Sequence, residues 1–108
     1  VSAFDDLVQR ADRAVHGHLG GETVTYRPEF GAPVDVTGVF DAQYVLVKGG
    51  AEAGVEAVGP AVFLRLEDLP TDPEDDEPTL VIRALEYRVI ERRLAGIGGV
   101  VLALRLVT

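Results

Sequence analysis

Val100-Val-Leu-Ala-Leu-Arg-Leu-Val107 is apolar on both of its alternating sides. In an extended chain Val100, Leu102, Leu104 and Leu106 share one face, while Val101, Ala103 and Val107 share the other with Arg105. A strand that is greasy on both faces has to be covered on both. One cover is the sheet interior; the other is a helix or another subunit.

The chain supplies one helix. Phe4, Leu7, Val8, Ala11 and Val15 recur at three-and-four spacing, which marks one face of a helix over residues 2–16. Ser2 with Asp5 fits a capping box with the shorter acid. Asp5 and Asp6 at the start, and Arg10, Arg13 and His16 toward the end, suit the helix dipole, and Gly17 suits a stop.

Between these ends the chain reads as short antiparallel strands. Thr23–Arg27 is rich in β-branched and aromatic residues and stops at Pro28; Glu29–Pro33 is a turn or loop. Val34–Asp41 alternates until its phase breaks near Gly38, which predicts a bulge there, and Tyr44–Val47 continues or restarts the strand. Ala61–Glu67 follows Pro60, with Val62, Leu64 and Leu66 on one face and Phe63 and Arg65 on the other. Thr79–Ile82 and Leu85–Glu91 flank a short turn at Arg83-Ala84, and Ala95–Gly99 is a further turn. The fold class is mainly β: a small antiparallel β-barrel or sandwich with one N-terminal α-helix. A single domain is expected over 1–108, with the helix at about 3–16, the barrel at about 22–107, and loops at 48–59 and 68–78.

Those two loops differ in character. Lys48–Gly59 holds glycines and small or aliphatic side chains, and in water it can fix itself only poorly. It is either a loose hairpin tip or a segment that orders against a neighbour, which would cover Val55 and Val58. Asp68–Pro78 holds three prolines and six acids, Asp72, Glu74, Asp75, Asp76 and Glu77 among them. It reads as a solvated turn or as a contact for a basic surface, and it lacks the ligand alternation and central glycine of a calcium loop.

Composition narrows the function. An apolar fraction of 47% and a charged fraction of 26% are those of an ordinary globular domain. No apolar run reaches the ~18 residues that cross a bilayer, and the first residues lack the pattern of a secretory leader, so no membrane is expected. There is no cysteine, hence no disulfide or thiolate chemistry. A net charge of −8 opposes grip on a phosphate backbone, though not DNA sliding past, and Lys48 is the one lysine.

No arrangement of residues suggests catalysis. His16-x-His18 has nothing nearby to complete a metal set; Gly17–Gly21 precedes a strand rather than a helix and is a linker, not a phosphate cradle. Ser2 has no histidine placed to activate it. No enzyme, no cofactor and no metal are expected. An oligonucleotide-binding barrel would need exposed aromatics on a basic face, whereas Tyr26, Tyr44 and Tyr87 behave as core residues.

Gly21-Glu-Thr-Val-Thr-Tyr-Arg-Pro28, Gly38-Val-Phe-Asp41, Gly59-Pro-Ala-Val-Phe-Leu-Arg-Leu66, Leu85-Glu-Tyr-Arg-Val-Ile-Glu91 and the final Leu-x-Leu-x-Leu strand occur in an informative order. Together they resemble the head–tail joining proteins of long-tailed bacteriophages and prophages, the lambda-type neck family, over nearly the whole chain. Two turns depart from that pattern: Arg83-Ala84 and Ala95-Gly96 stand where glycine and Asp-Gly are frequent. The resemblance implies a barrel with a helix, assembled as a ring with copies of itself, as a hexamer, in the virion neck after assembly in the bacterial host cytoplasm. Its implied partners are the portal or head-completion proteins on one side and the tail terminator or tail tube protein on the other, with packaged DNA passing through without specific binding. It also implies that a long loop orders on assembly, and residues 48–59 match that loop in position. A tail terminator ring subunit is the alternative, and an oligonucleotide-binding barrel a more distant one. The expected interface residues are Lys48, Val55, Val58, Asp72, Glu74, Asp75, Asp76 and Glu77. Six copies at −8 each would carry about −48, which would repel DNA from a lumen and keep it mobile.

Overall fold

A computed structural model describes residues 3–17, 21–48, 55–73, 76–95 and 98–107. The helix α1 (Ala3–Gly17) precedes six strands: β1 (Glu22–Arg27), β2 (Val34–Lys48), β3 (Val55–Arg65), β4 (Thr79–Ile82), β5 (Leu85–Ala95) and β6 (Gly99–Leu106). The strands pair antiparallel in the order β1-β2-β3-β6-β5-β4, and β4 closes on β1 to make a barrel. Closure removes the free sheet edges that would otherwise invite further pairing.

The two faces of β6 are covered as their composition demands. Val100, Leu102 and Leu104 point into the barrel with Val24, Tyr26, Phe40, Val62, Leu64, Leu80, Ile82 and Tyr87. Val101 points outward into a second core, where Leu7 and Ala11 of α1 meet Val39, Tyr44, Ala61, Phe63 and Ala95, flanked by Phe4 and Val8. The helix lies mainly on β2, and Val101 of β6 reaches the same outer core. Full burial of a leucine such as Leu7 contributes about 1.5–3 kcal/mol. Polar contacts fix the helix in place: an Arg10 guanidinium N–H donates to the Phe40 carbonyl at 3.2 Å, and Arg93 stacks over the Phe4 ring at 3.9 Å.

Gly38 is not a bulge. It stays in register with Glu22 on one side and Leu64 on the other. Its missing side chain serves close packing: a Cβ there would lie 2.7 Å from Leu64 Cδ2 and 3.0 Å from the Phe63 carbonyl oxygen. The break in β2 comes later, where Asp41 pairs with Ala61 and Tyr44 with Gly59. Ala42 and Gln43 therefore oppose the single residue Pro60, which has no N–H to give to a ladder. Asp41 Oδ1 accepts the Gln43 N–H at 2.9 Å and secures the kink. A second bulge places Ile90 as an extra residue between Val89, opposite Leu104, and Glu91, opposite Ala103.

The expected loop at 48–59 is shorter than its composition suggests. β2 runs to Lys48 and β3 begins at Val55, the two pairing from Tyr44↔Gly59 to Lys48↔Val55. Backbone pairing across a hairpin does not require bulky side chains, so small residues mislead here. β5 likewise runs to Ala95 rather than Glu91, carried by its ladder with β6. β3 ends at Arg65, and Leu66–Asp68 form one 3-10 turn, braced by Arg65 on Asp68 at 3.1 Å.

Candidate functional site

The outer part of the β2–β3 hairpin projects as an arm. β1 pairs with β2 only as far as Gly38, and β6 pairs with β3 only from Ala61. Among the described residues, 44–48 and 55–59 therefore pair only with each other. A two-stranded ribbon alone is marginal in water. Lys48 and Val55 form its last described pair. Val58, opposite Val45, is 61% exposed although it is aliphatic.

At the base of the arm lies an apolar cleft of about 280 Å³. Tyr44, Pro60 and Leu104 are among its lining, Val58, Ile90 and Leu106 stand exposed around it, and Arg105 lies on its border. Ile90 is there because the β5 bulge turns it out of the alternation. Leu106 emerges because the barrel interior ends before it. Leu106 shares the phase of Val100, Leu102 and Leu104, yet it and Leu85 are about half exposed because they occupy strand ends.

Next to the cleft the wall is basic. Arg88 of β5 lies directly opposite Arg105 of β6, both exposed. Neither forms an ion pair among the described residues. Like charges opposed across a strand pair are unfavourable by themselves. This juxtaposition was invisible in the sequence, because it depends on register.

Within the acidic segment one carboxylate is turned inward. Asp76 faces its own protein: its carboxylate accepts from Thr71 Oγ1 at 2.8 Å, from the Glu29 N–H at 3.1 and 3.2 Å, and from the Glu77 N–H at 2.9 Å. Thr71 in turn meets the Tyr26 hydroxyl at 3.0 Å, and Pro73 is fully buried. The loop thus caps one end of the barrel and ties down the β1–β2 turn. Asp72 and Glu77 are exposed. Glu74 and Asp75 lie outside the described residues. The structure does not bring the two groups of expected interface residues together: the arm tip and the acidic loop sit beyond opposite ends of β3.

Burial pushes the phenols of Tyr26 and Tyr44 above their ordinary value, and the Glu22 carboxylate raises the Arg83 guanidinium in the same direction. All three tyrosines are core residues, as their phase predicts. Among the described residues no group of three His, Asp or Glu could hold a metal ion, and no helix is long and apolar enough to cross a membrane. His18 lies outside the described residues, as do Ser2 and the middle of the Gly17–Gly21 linker.

The described residues form a closed barrel with a helix on one wall, and Val58, Ile90 and Leu106 stand exposed around the cleft at the base of the arm. The chain belongs to the Phage Head-Tail Attachment protein family, whose model matches residues 4–106. No curated protein matches the chain. The family is structural and non-enzymatic, and it places the protein at the head–tail junction of a phage virion, in agreement with the resemblance read from the sequence.

Proposed function

We propose that the protein is a neck ring subunit that joins the DNA-filled head to the tail, its copies encircling the path of the DNA. The portal or head-completion proteins lie on one side and the tail terminator or tail tube protein on the other. The observation that carries this reading is the arm: 44–48 and 55–59 pair only with each other among the described residues and lead to an open apolar cleft. Such a ribbon gains stability when a neighbour covers it, so docking and ordering are coupled, and assembly depends on the preceding component. Lys48, Val55 and Val58 belong to this contact; Asp72, Glu74, Asp75 and Glu77 form an acidic rim toward a partner or the channel.

The test is tail attachment to DNA-filled heads lacking the protein. The chain restores joining, and Val55→Asp with Val58→Asp abolishes it while leaving the far-UV spectrum of the barrel unchanged. Normal joining by the double variant would remove the arm from the mechanism. Recovery of the protein with free tails rather than with filled heads would make it a tail terminator instead.

A further inference from the structure

We propose that a second copy of this chain seats its Phe30 in the cleft at the base of the arm and sets its Glu29 on the Arg88–Arg105 pair. This deepens the ring reading, and rests on it for the presence of several copies at one junction. Phe30 is 82% exposed, more than any other large apolar side chain among the described residues. It is displayed on a fixed turn: Pro28 precedes it, Gly31 takes φ +128°, and the Glu29 N–H is held by the Asp76 carboxylate. An aromatic ring on a rigid turn loses little freedom when it docks.

The receiving surface matches in shape and in charge. The cleft of about 280 Å³ has room for one aromatic ring between Val58, Ile90 and Leu106. Arg105 borders it, and Arg88 stands opposite Arg105 in the strand register, neither in an ion pair among the described residues. The Glu29 carboxylate, next to Phe30, is exposed and also without an ion pair among the described residues. One aromatic ring with one adjacent carboxylate is the chemistry this surface lacks.

The geometry requires the two halves to come from different copies. Phe30 follows β1, while the cleft centres on β6, and these strands are three apart in a six-stranded closed wall, the largest separation it allows. A contact between two different patches is head-to-tail and repeats from copy to copy, closing when the rotation closes.

The absence of cysteine makes the test direct. Full-length Phe30→Cys/Ile90→Cys is oxidised mildly, concentrated in solution and within joined particles, beside a Phe30→Cys/Glu67→Cys control. The expected result is a ladder of covalent multimers from the first pair and none from the control. Arg105→Glu in the first pair should eliminate the ladder, and adding Glu29→Arg should restore it. If microscopy shows several copies at the junction but the pair gives no ladder above the control, this contact is wrong and the ring reading stands. A single copy at the junction would overturn both.

Discussion

Arg83 holds Glu22 through two hydrogen bonds of 2.9 Å, reaching across from the β4–β5 turn to the first residue of β1. It does so from φ +53°, followed by Ala84 at +67°, and its guanidinium lies 4.9 Å from the centre of the Phe40 ring. Two positive φ values are what a two-residue primed hairpin turn demands, and here neither residue is glycine. A side chain that pairs and stacks compensates for a backbone conformation that L-residues resist.

Ala84 contributes no comparable contact, so Ala84→Gly should stabilise the protein by about 1 kcal/mol through release of that strain. Urea denaturation gives the shift in midpoint. Arg83→Gly should gain nothing, because the relief is offset by loss of the Glu22 pair.

Leu7 anchors the helix in the outer core with no exposed surface. Leu7→Ala should destabilise the protein by about 2–5 kcal/mol. Amide exchange should quicken in α1 before it quickens in β4, since the inner core does not contain Leu7.

Asp76 satisfies one hydroxyl and two backbone N–H groups. Asp76→Ala should cost about 1–3 kcal/mol. Hydrogen exchange at the Glu29 amide should accelerate selectively. Asp72→Ala, a neighbour in the same acidic run, should leave that amide protected.

Tyr26 and Tyr44 are raised above 10.0, in each case chiefly by burial. The folded phenols keep their protons after the unfolded ones have released theirs, so unfolding releases protons above about pH 10. Their contribution to stability is complete below that pH and is lost as pH rises through the folded values. Urea midpoints should fall between about pH 8 and about pH 11, and the fall should be smaller in Tyr26→Phe.

Periodicity made the helix, the doubly covered β6 and the interior row of β3 legible, because each depends only on side chains along one segment. The turn at Arg83-Ala84 was legible in position and not in conformation. The bulge expected near Gly38 was misplaced: the glycine in β2 signals crowding against Leu64, and the true break follows from Pro60, a residue on the partner strand. The extent of the hairpin was hidden because its backbone pairing leaves little trace in small side chains. The Arg88–Arg105 opposition and the cleft beside it arise from register between β5 and β6 and from the displaced Ile90. Of the candidate residues, Val58 is exposed, and the Asp76 carboxylate accepts hydrogen bonds from its own chain.

Pro60 and the kink at Ala42–Gln43 also bear on solubility. The barrel closes between β4 and β1, and among the described residues the flanks of the arm, like β5 beyond Arg88, have no second strand beside them. At the root of that ribbon one donor is missing and the opposite chain is bent, which disrupts a continuous template for fibril growth. Strand addition along the arm should therefore stop at its root, so its flanks offer a short docking edge and not the seed of a fibre.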